Sequence, residues 1–241
     1  MRKPSMIYFD YGQTLIDETE FHPERGIEAV LQNAAETPPG ITAKQVMGLY
    51  RRLIHDVNAP QAPGAEMQYL EVPDALLQNY LYGYFGIRLT KSAEEVTMLF
   101  EKHAHRSVPS PGIEEFLSFL YGKGIRTGVI SNNAYSGKVL AELLRERIPS
   151  GRFCPVVSSC DVIFRKPHPG IFQFALRKAG LPPSEVMYCG DNPPTDARGA
   201  AACGMTPVWY RGCCRTPEDA FPDIRCRKVN SWKELAMALS D

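Results

Sequence analysis

The sequence predicts a parallel α/β sheet with a helical insert after its first strand. Three observations lead there. Five short apolar runs are spread along the chain, and the first, second and fourth are nearly continuous, as strands covered on both faces require. Amphipathic helical patterns lie between the later runs. Residues 17 to about 105 break this alternation and read as mostly helical.

The first strand is the run Met6, Ile7, Tyr8, Phe9, which ends at Asp10. Inside the insert, Leu49, Leu53 and Ile54 fit one helical stripe, and Leu76, Leu77, Tyr80 and Leu81 fit another. Residues 58–64, with Pro60 and Pro63, read as a loop. The aromatics Tyr80, Tyr82, Tyr84 and Phe85 follow the helical period, so packing within the insert explains them better than ligand stacking. After the insert, residues 112–120 place Ile113, Phe116, Leu117 and Leu120 on one face of a helix. The second strand, 126–130, ends at Ser131, and a third is short, 155–157. Pro169 suits the first turn of a helix running through 176, while His168, between two prolines, reads as loop filler. The fourth strand, 186–189, passes through Gly190 to Asp191, and the fifth covers 206–210. Ser231 with Glu234 three residues on predicts a capping box for the last helix.

Composition excludes several function classes. The chain has 241 residues and 44% hydrophobic content, enough for one large domain or a core with an insert. Basic and acidic residues balance at 27 each, with no block of one sign, so no nucleic-acid partner is expected. The apolar run after Pro4 and Ser5 is too short for a signal peptide, and no stretch reaches membrane-spanning length, so no membrane partner is expected either. The seven cysteines are odd in number and lack C-x-x-C spacing, which favours reduced thiols and a cytoplasmic location. Adjacent Cys213 and Cys214 read as packing or surface thiols. His22, His55, His103 and His105 show no metal spacing tied to a partner.

Four separated pieces carry chemistry. They are Asp10 in Asp10-Tyr11-Gly12-Gln13-Thr14, Ser131 in Ser131-Asn132-Asn133, Lys166 in Arg165-Lys166-Pro167, and the pair Asp191 and Asp196 after Gly190. Singly, each is an ordinary turn or surface residue. In this order, Asp10, Ser131 and Asp191 sit at strand carboxyl ends, where open parallel sheets bind ligands. Asp10 can attack phosphorus to form an aspartyl-phosphate. A hard cation between Asp10 and Asp191 would cancel the repulsion between carboxylate and phosphate, and oxygen ligands suit Mg²⁺. Ser131 can donate to a phosphoryl oxygen, Lys166 adds a point charge, and Asp196 can fix Lys166 or a metal-bound water.

These motifs, in this order and with this insert, resemble the haloacid dehalogenase superfamily across nearly the whole chain. The resemblance is specifically to its phosphatase-like members with a helical cap. The resemblance implies a Rossmann-like core from residues 1–16 and 106–241, with an α-helical cap at 17–105. It implies Asp10 as nucleophile, with Mg²⁺ held by Asp10, Asp191 and the carbonyl of Gly12. Ser131, Asn132 and Lys166 would bind the phosphoryl group of a small phosphorylated metabolite, and Asp196 would support the cluster. A monomer or homodimer is expected.

One residue departs from the family pattern. Its phosphatases carry a second Asp two residues after the nucleophile, which protonates the leaving alkoxide and then activates water. Here that position is Gly12, followed by Gln13. Such acid–base help is worth about 10²–10⁴ in rate. The residues therefore support a hydrolase, with a catalytically impaired regulatory or binding protein as the alternative. Restoring the carboxylate by Gly12→Asp is expected to raise turnover of alkyl phosphates if its absence is the only defect. The dehalogenases also lack the second Asp, but not together with the pair seen at Asp191 and Asp196. Phosphonate-cleaving members use a cap lysine, and Lys44, Lys91 and Lys102 have no distinctive context.

Overall fold

The structure, a computed structural model, describes residues 3–57, 69–215, 217 and 226–240. The expected loop at 58–64 lies outside the described residues. Strand β1 (Met6–Phe9) is followed by β2 (Ile16–Phe21), then by helices α1 (Pro23–Gln32), α2 (Ala43–Val57), α3 (Asp74–Tyr84) and α4 (Ala93–Ala104). Strand β3 (His105–Pro109) then pairs antiparallel with β2. The remaining elements alternate: α5 (Ile113–Gly122), β4 (Arg126–Ser131), α6 (Gly137–Arg147), β5 (Phe153–Ser158), α7 (Ser159–Val162), α8 (Pro169–Ala179), β6 (Val186–Gly190), α9 (Ala197–Ala202), β7 (Thr206–Tyr210), β8 (Arg227–Val229) and α10 (Trp232–Ala238).

The main sheet is entirely parallel, in the order β5-β4-β1-β6-β7-β8. All five strands read from the sequence are present. The sixth, β8, has two exposed basic residues and buries only Val229, so it carries no readable alternation. The pleat of β1 sends Ile7 and Phe9 into a layer with Phe116, Leu117 and Trp232, while Met6 and Tyr8 face Ile171, Phe172 and Ala175. Helices thus cover both faces, which is why β1 and β6 read as nearly continuous apolar runs and β4 as a shorter one at Val129 and Ile130. Helices α1 to α4 bury a separate cluster built on Ile27, Val46, Leu81 and Val96. Among the described residues no helix is long and apolar enough to cross a membrane.

Several local expectations need correction. Residues 17–21 and 105 are strand, not helix, so the helical stretch begins and ends in a two-stranded ribbon. The acidic, exposed sequence of β2 buries little beyond Ile16, so no period-two signal reports it. In α3, Leu77 and Leu81 are buried, but Leu76 and Tyr80 are 63% and 54% exposed. Tyr84 is exposed too, stacked beside Tyr80, so only Tyr82 and Phe85 pack as expected. The helical period is right, but only part of the apolar arc faces a neighbour. At α10 the N-cap Ser231 accepts from the Glu234 N–H, yet the Glu234 carboxylate turns to the Asn230 N–H, completing only half the capping box. His168 is not filler: its Nδ1 accepts from Gly170 N–H at 3.0 Å, capping α8, and its ring stacks on Phe164. The seven cysteines are free, and burial pushes the Cys213 thiol up to about 11.

One buried group sets a pH dependence. Burial pushes Glu101 in α4 up to about 7, while Arg147 opposes this. His105 approaches it at 3.7 Å, but burial pulls that imidazole down to about 4, so the two do not form an ion pair at neutral pH. A carboxyl raised by folding binds more protons in the folded state between its unfolded and folded values. Stability therefore falls as pH rises from about 4.5 to 7. Glu101→Gln is expected to raise stability at pH 8 by about 2–3 kcal/mol and to change little at pH 4.5. Denaturant melts at the two pH values check this, and equal effects at both would refute it.

Candidate active site

Asp10 follows β1, Ser131 ends β4 and Asp191 follows β6. These strands are neighbours, with β1 in the middle: the chain builds β4 and β5 on one side of β1, then crosses over to build β6, β7 and β8 on the other. The carboxyl edge at that reversal is where an open parallel sheet forms a crevice. A cleft of about 340 Å³ opens there, lined by Asp10, Gly12, Glu18, Ser131, Asn132, Arg165, Lys166 and Asp191 among others. A larger groove of about 580 Å³ between α4 and α6 is lined mainly by surface lysines and glutamates, some paired with each other, and lies away from these strand ends.

Lys166 is the hub. It is 3% exposed, and its Nζ lies 2.9 Å from Asp10 Oδ1 and 2.6 Å from Asp196 Oδ1. It also donates to the Tyr188 hydroxyl at 2.7 Å. Burial alone would lower its pKa, but the charges of Asp10 and Asp196 outweigh that and raise it, so the ammonium persists. Asp196 has no free oxygen. Oδ1 meets Lys166 and Tyr188, and Oδ2 accepts from the Asn192 N–H at 3.0 Å. Gly190 permits this, because a Cβ there would collide with the Asp196 carboxylate.

Asn132 anchors the same lysine through its backbone. Its Nδ2 donates to the Lys166 carbonyl at 3.0 Å and its Oδ1 accepts from the Lys166 N–H at 2.6 Å. Its side chain is thus committed to the loop rather than to the cleft. Ser131 is buried, and its Oγ accepts from Asn133 Nδ2 at 3.0 Å. The Asp191 carbonyl accepts from Trp209 Nε1 at 2.9 Å, which fixes the turn after β6.

Oxygens of Asp10, Asp191 and Asp196 lie within 4.8 Å of one another. Burial raises the carboxyls of both Asp191 and Asp196. The Asp10 charge adds to this, and Lys166 opposes it. Three carboxylates facing one ammonium leave excess negative charge. With Asp196 saturated, Asp10 and Asp191 are the carboxylates left for a cation, and an all-oxygen donor set suits a hard ion.

Sequence reasoning missed four residues here. Tyr188 reads only as part of an apolar strand, and its hydroxyl role shows only in three dimensions. Arg165 lines the cleft and is gripped by Glu71 at 2.7 and 2.8 Å. Glu71 comes from the stretch before α3; its N–H donates to the Ile163 carbonyl and the Arg165 N–H donates to the Tyr69 carbonyl, tying 69–71 to 163–165. Glu18, in β2, also enters the cleft. Burial raises its carboxyl, Arg147 opposes this, and Asp10 adds to the rise. The acidic run in β2 is its only sequence signal.

A parallel sheet that gathers carboxylates, a serine and a buried lysine at one carboxyl edge defines a hydrolase of the Rossmann-like class. The haloacid dehalogenase-like hydrolase family matches residues 6–204, and the chain belongs to that family. A phosphoserine phosphatase from Thermus thermophilus is 31% identical over 151 residues, covering 61% of this chain and 57% of that protein. A phosphoglycolate phosphatase from Pseudomonas syringae pv. syringae is 27% identical over 207 residues, covering 85% and 68%. The matched stretch thus spans little more than half the length of the first of these relatives. Among solved structures, a 2-haloacid dehalogenase from Pseudomonas syringae pv. Tomato superposes with TM-score 0.61 at 22% identity, covering 100% of this chain and 99% of that one. A HAD phosphatase from Thermococcus onnurineus gives 0.59 at 20%, covering 98% and 97%. These two likenesses concern the fold, which they share with the expected α/β core.

Proposed function

We propose that the protein is a Mg²⁺-dependent phosphatase acting on a small phosphorylated metabolite through an aspartyl-phosphate on Asp10. The observation that carries this is the buried Lys166 held between Asp10 and Asp196 beside Ser131, with Asp191 facing Asp10. The phosphatase relatives support the substrate class. In this reading Asp10, Asp191 and the Gly12 carbonyl hold Mg²⁺, which offsets the charge of the phosphate dianion against Asp10. Asp10 attacks phosphorus while Ser131, the Asn132 N–H and Lys166 stabilise the phosphoryl oxygens. Water then releases phosphate and restores Asp10. Asp196 keeps Lys166 charged and in place. Residues 1–16 and 106–241 form the core and 17–105 the cap, whose stretch 69–71 is tied to 163–165 beside Lys166. The free cysteines agree with a cytoplasmic enzyme, monomeric or homodimeric.

A panel of phosphorylated metabolites assayed with Mg²⁺ and with EDTA tests the reading; no turnover of any member would overturn it. Gly12 favours a second reading, a binding or regulatory protein, and that panel separates the two. Mg²⁺ affinity is expected to fall more in Asp191→Asn than in Asp196→Asn, because Asp196 spends both oxygens on protein donors. Calorimetry measures both, and unchanged affinity in Asp191→Asn would remove the metal assignment.

A further inference from the structure

Gly12 leaves a gap in the chemistry but not in space. A Cβ built on Gly12 would lie 3.0 Å from Oε2 and 3.5 Å from Cδ of Glu18. The carboxyl group of Glu18 therefore occupies the space that an aspartate side chain at position 12 would enter. The backbone that presents it is tied down. Gln13 Nε2 donates to the Glu18 carbonyl at 3.2 Å, and Arg215 Nη2 donates to the same oxygen at 2.6 Å. Gln13 adopts a positive φ of 53° to do this, a strained conformation for a residue with a side chain. These hydrogen bonds use the Glu18 main chain, and among the described residues none is donated to its carboxylate. Glu18 lines the cleft with Asp10, Ser131 and Lys166.

We propose that Glu18 is a catalytic residue that supplies, from strand β2, the acid–base carboxyl absent at Gly12. The assignment rests on the phosphatase reading above. As Asp10 bonds to phosphorus and the ester P–O bond breaks, the Glu18 carboxyl gives its proton to the departing alkoxide. In the second step a water oxygen bonds to phosphorus and gives a proton to the Glu18 carboxylate. The bond from phosphorus to Asp10 breaks, and Asp10 regains its carboxylate. Glu18 ends protonated, ready for the next ester. Gln13 acts through Glu18 by holding its backbone.

This changes what Gly12→Asp should do. In the wild-type background the new side chain meets the Glu18 carboxylate, so no gain is expected. In a Glu18→Ala background the space is vacant and the new aspartate can take over.

The experiment compares wild type, Glu18→Gln, Glu18→Ala and the double variant Glu18→Ala with Gly12→Asp. Each is assayed with Mg²⁺ on an alkyl phosphate, glycerol 2-phosphate, and on p-nitrophenyl phosphate, whose leaving group needs no proton. Both single variants should lose about 10²-fold or more in steady-state turnover of the alkyl ester. With p-nitrophenyl phosphate they should release a burst of about one nitrophenolate per site, then turn over slowly, because phosphoryl-Asp10 accumulates without a base for water. The double variant should recover at least about 10-fold on the alkyl ester. Beryllium fluoride binding confirms that each variant keeps a folded Asp10 site. Wild-type rates in Glu18→Gln, or equal losses on both esters without a burst, would overturn the role of Glu18. Absence of turnover in the wild type on both esters would instead overturn the phosphatase reading, and this assignment with it.

Discussion

Asp10→Asn is expected to abolish turnover, by at least about 10⁴-fold, the scale on which loss of a nucleophile registers. The reason lies in how the residue is held. Its N–H donates to the Cys189 carbonyl at 2.9 Å, which fixes it between β1 and β6. Its Oδ1 accepts from the Tyr11 N–H at 2.7 Å and meets Lys166 at 2.9 Å. An amide keeps the shape of the side chain but has no anionic oxygen to bond to phosphorus. The fold should survive, because β1 is held by its ladder to both neighbours and by buried Met6, Ile7, Tyr8 and Phe9. Initial rates, far-UV circular dichroism and beryllium fluoride binding together test this. Full activity in Asp10→Asn would end the covalent mechanism.

Lys166→Met should cost about 3–5 kcal/mol of stability at pH 8 as well as activity. The side chain is almost fully buried and its ammonium touches Asp10 and Asp196. Methionine fills similar volume but leaves both carboxylates without their counter-charge. Burial already raises the Asp196 carboxyl to about 6 against the opposition of Lys166, so without the ammonium Asp196 escapes that cost by taking up a proton. The loss should therefore shrink as pH falls toward 5, since protonation neutralises the uncompensated charge. Mg²⁺ should also recover part of it by offsetting Asp10. Urea titrations of both proteins at pH 8 and 5 measure the difference. A loss below about 1 kcal/mol at pH 8 would mean that Lys166 is not the electrostatic keystone of the cleft.

Much of this protein is legible in its sequence because burial leaves a local pattern. Strands β1 and β6 are covered on both faces, so their residues are apolar almost without interruption, whereas β4, buried from Thr127 on, shows the same burial mainly through Val129 and Ile130. The stripe of Ile113, Phe116, Leu117 and Leu120 is buried on α5 as its spacing implies. Where burial is one-sided or slight, the pattern fades. Strand β2 is acidic and mostly exposed, so it passes for part of the helical insert. Leu76 and Tyr80 match a helical stripe, but no described element covers them as it covers Leu77 and Leu81.

Local signals at strand ends and turns were enough for the family, the parallel core and the candidate residues Asp10, Ser131, Lys166, Asp191 and Asp196. The sequence also shows that position 12 lacks a carboxylate. That Asp196 and Asn132 spend their side chains on Lys166, and that Glu18 reaches the space beside Gly12, emerges from the packed chain alone. Periodicity records whether a residue is buried. It does not record what the residue faces, because strand order and the path of the β2–β3 ribbon bring together side chains far apart in the chain.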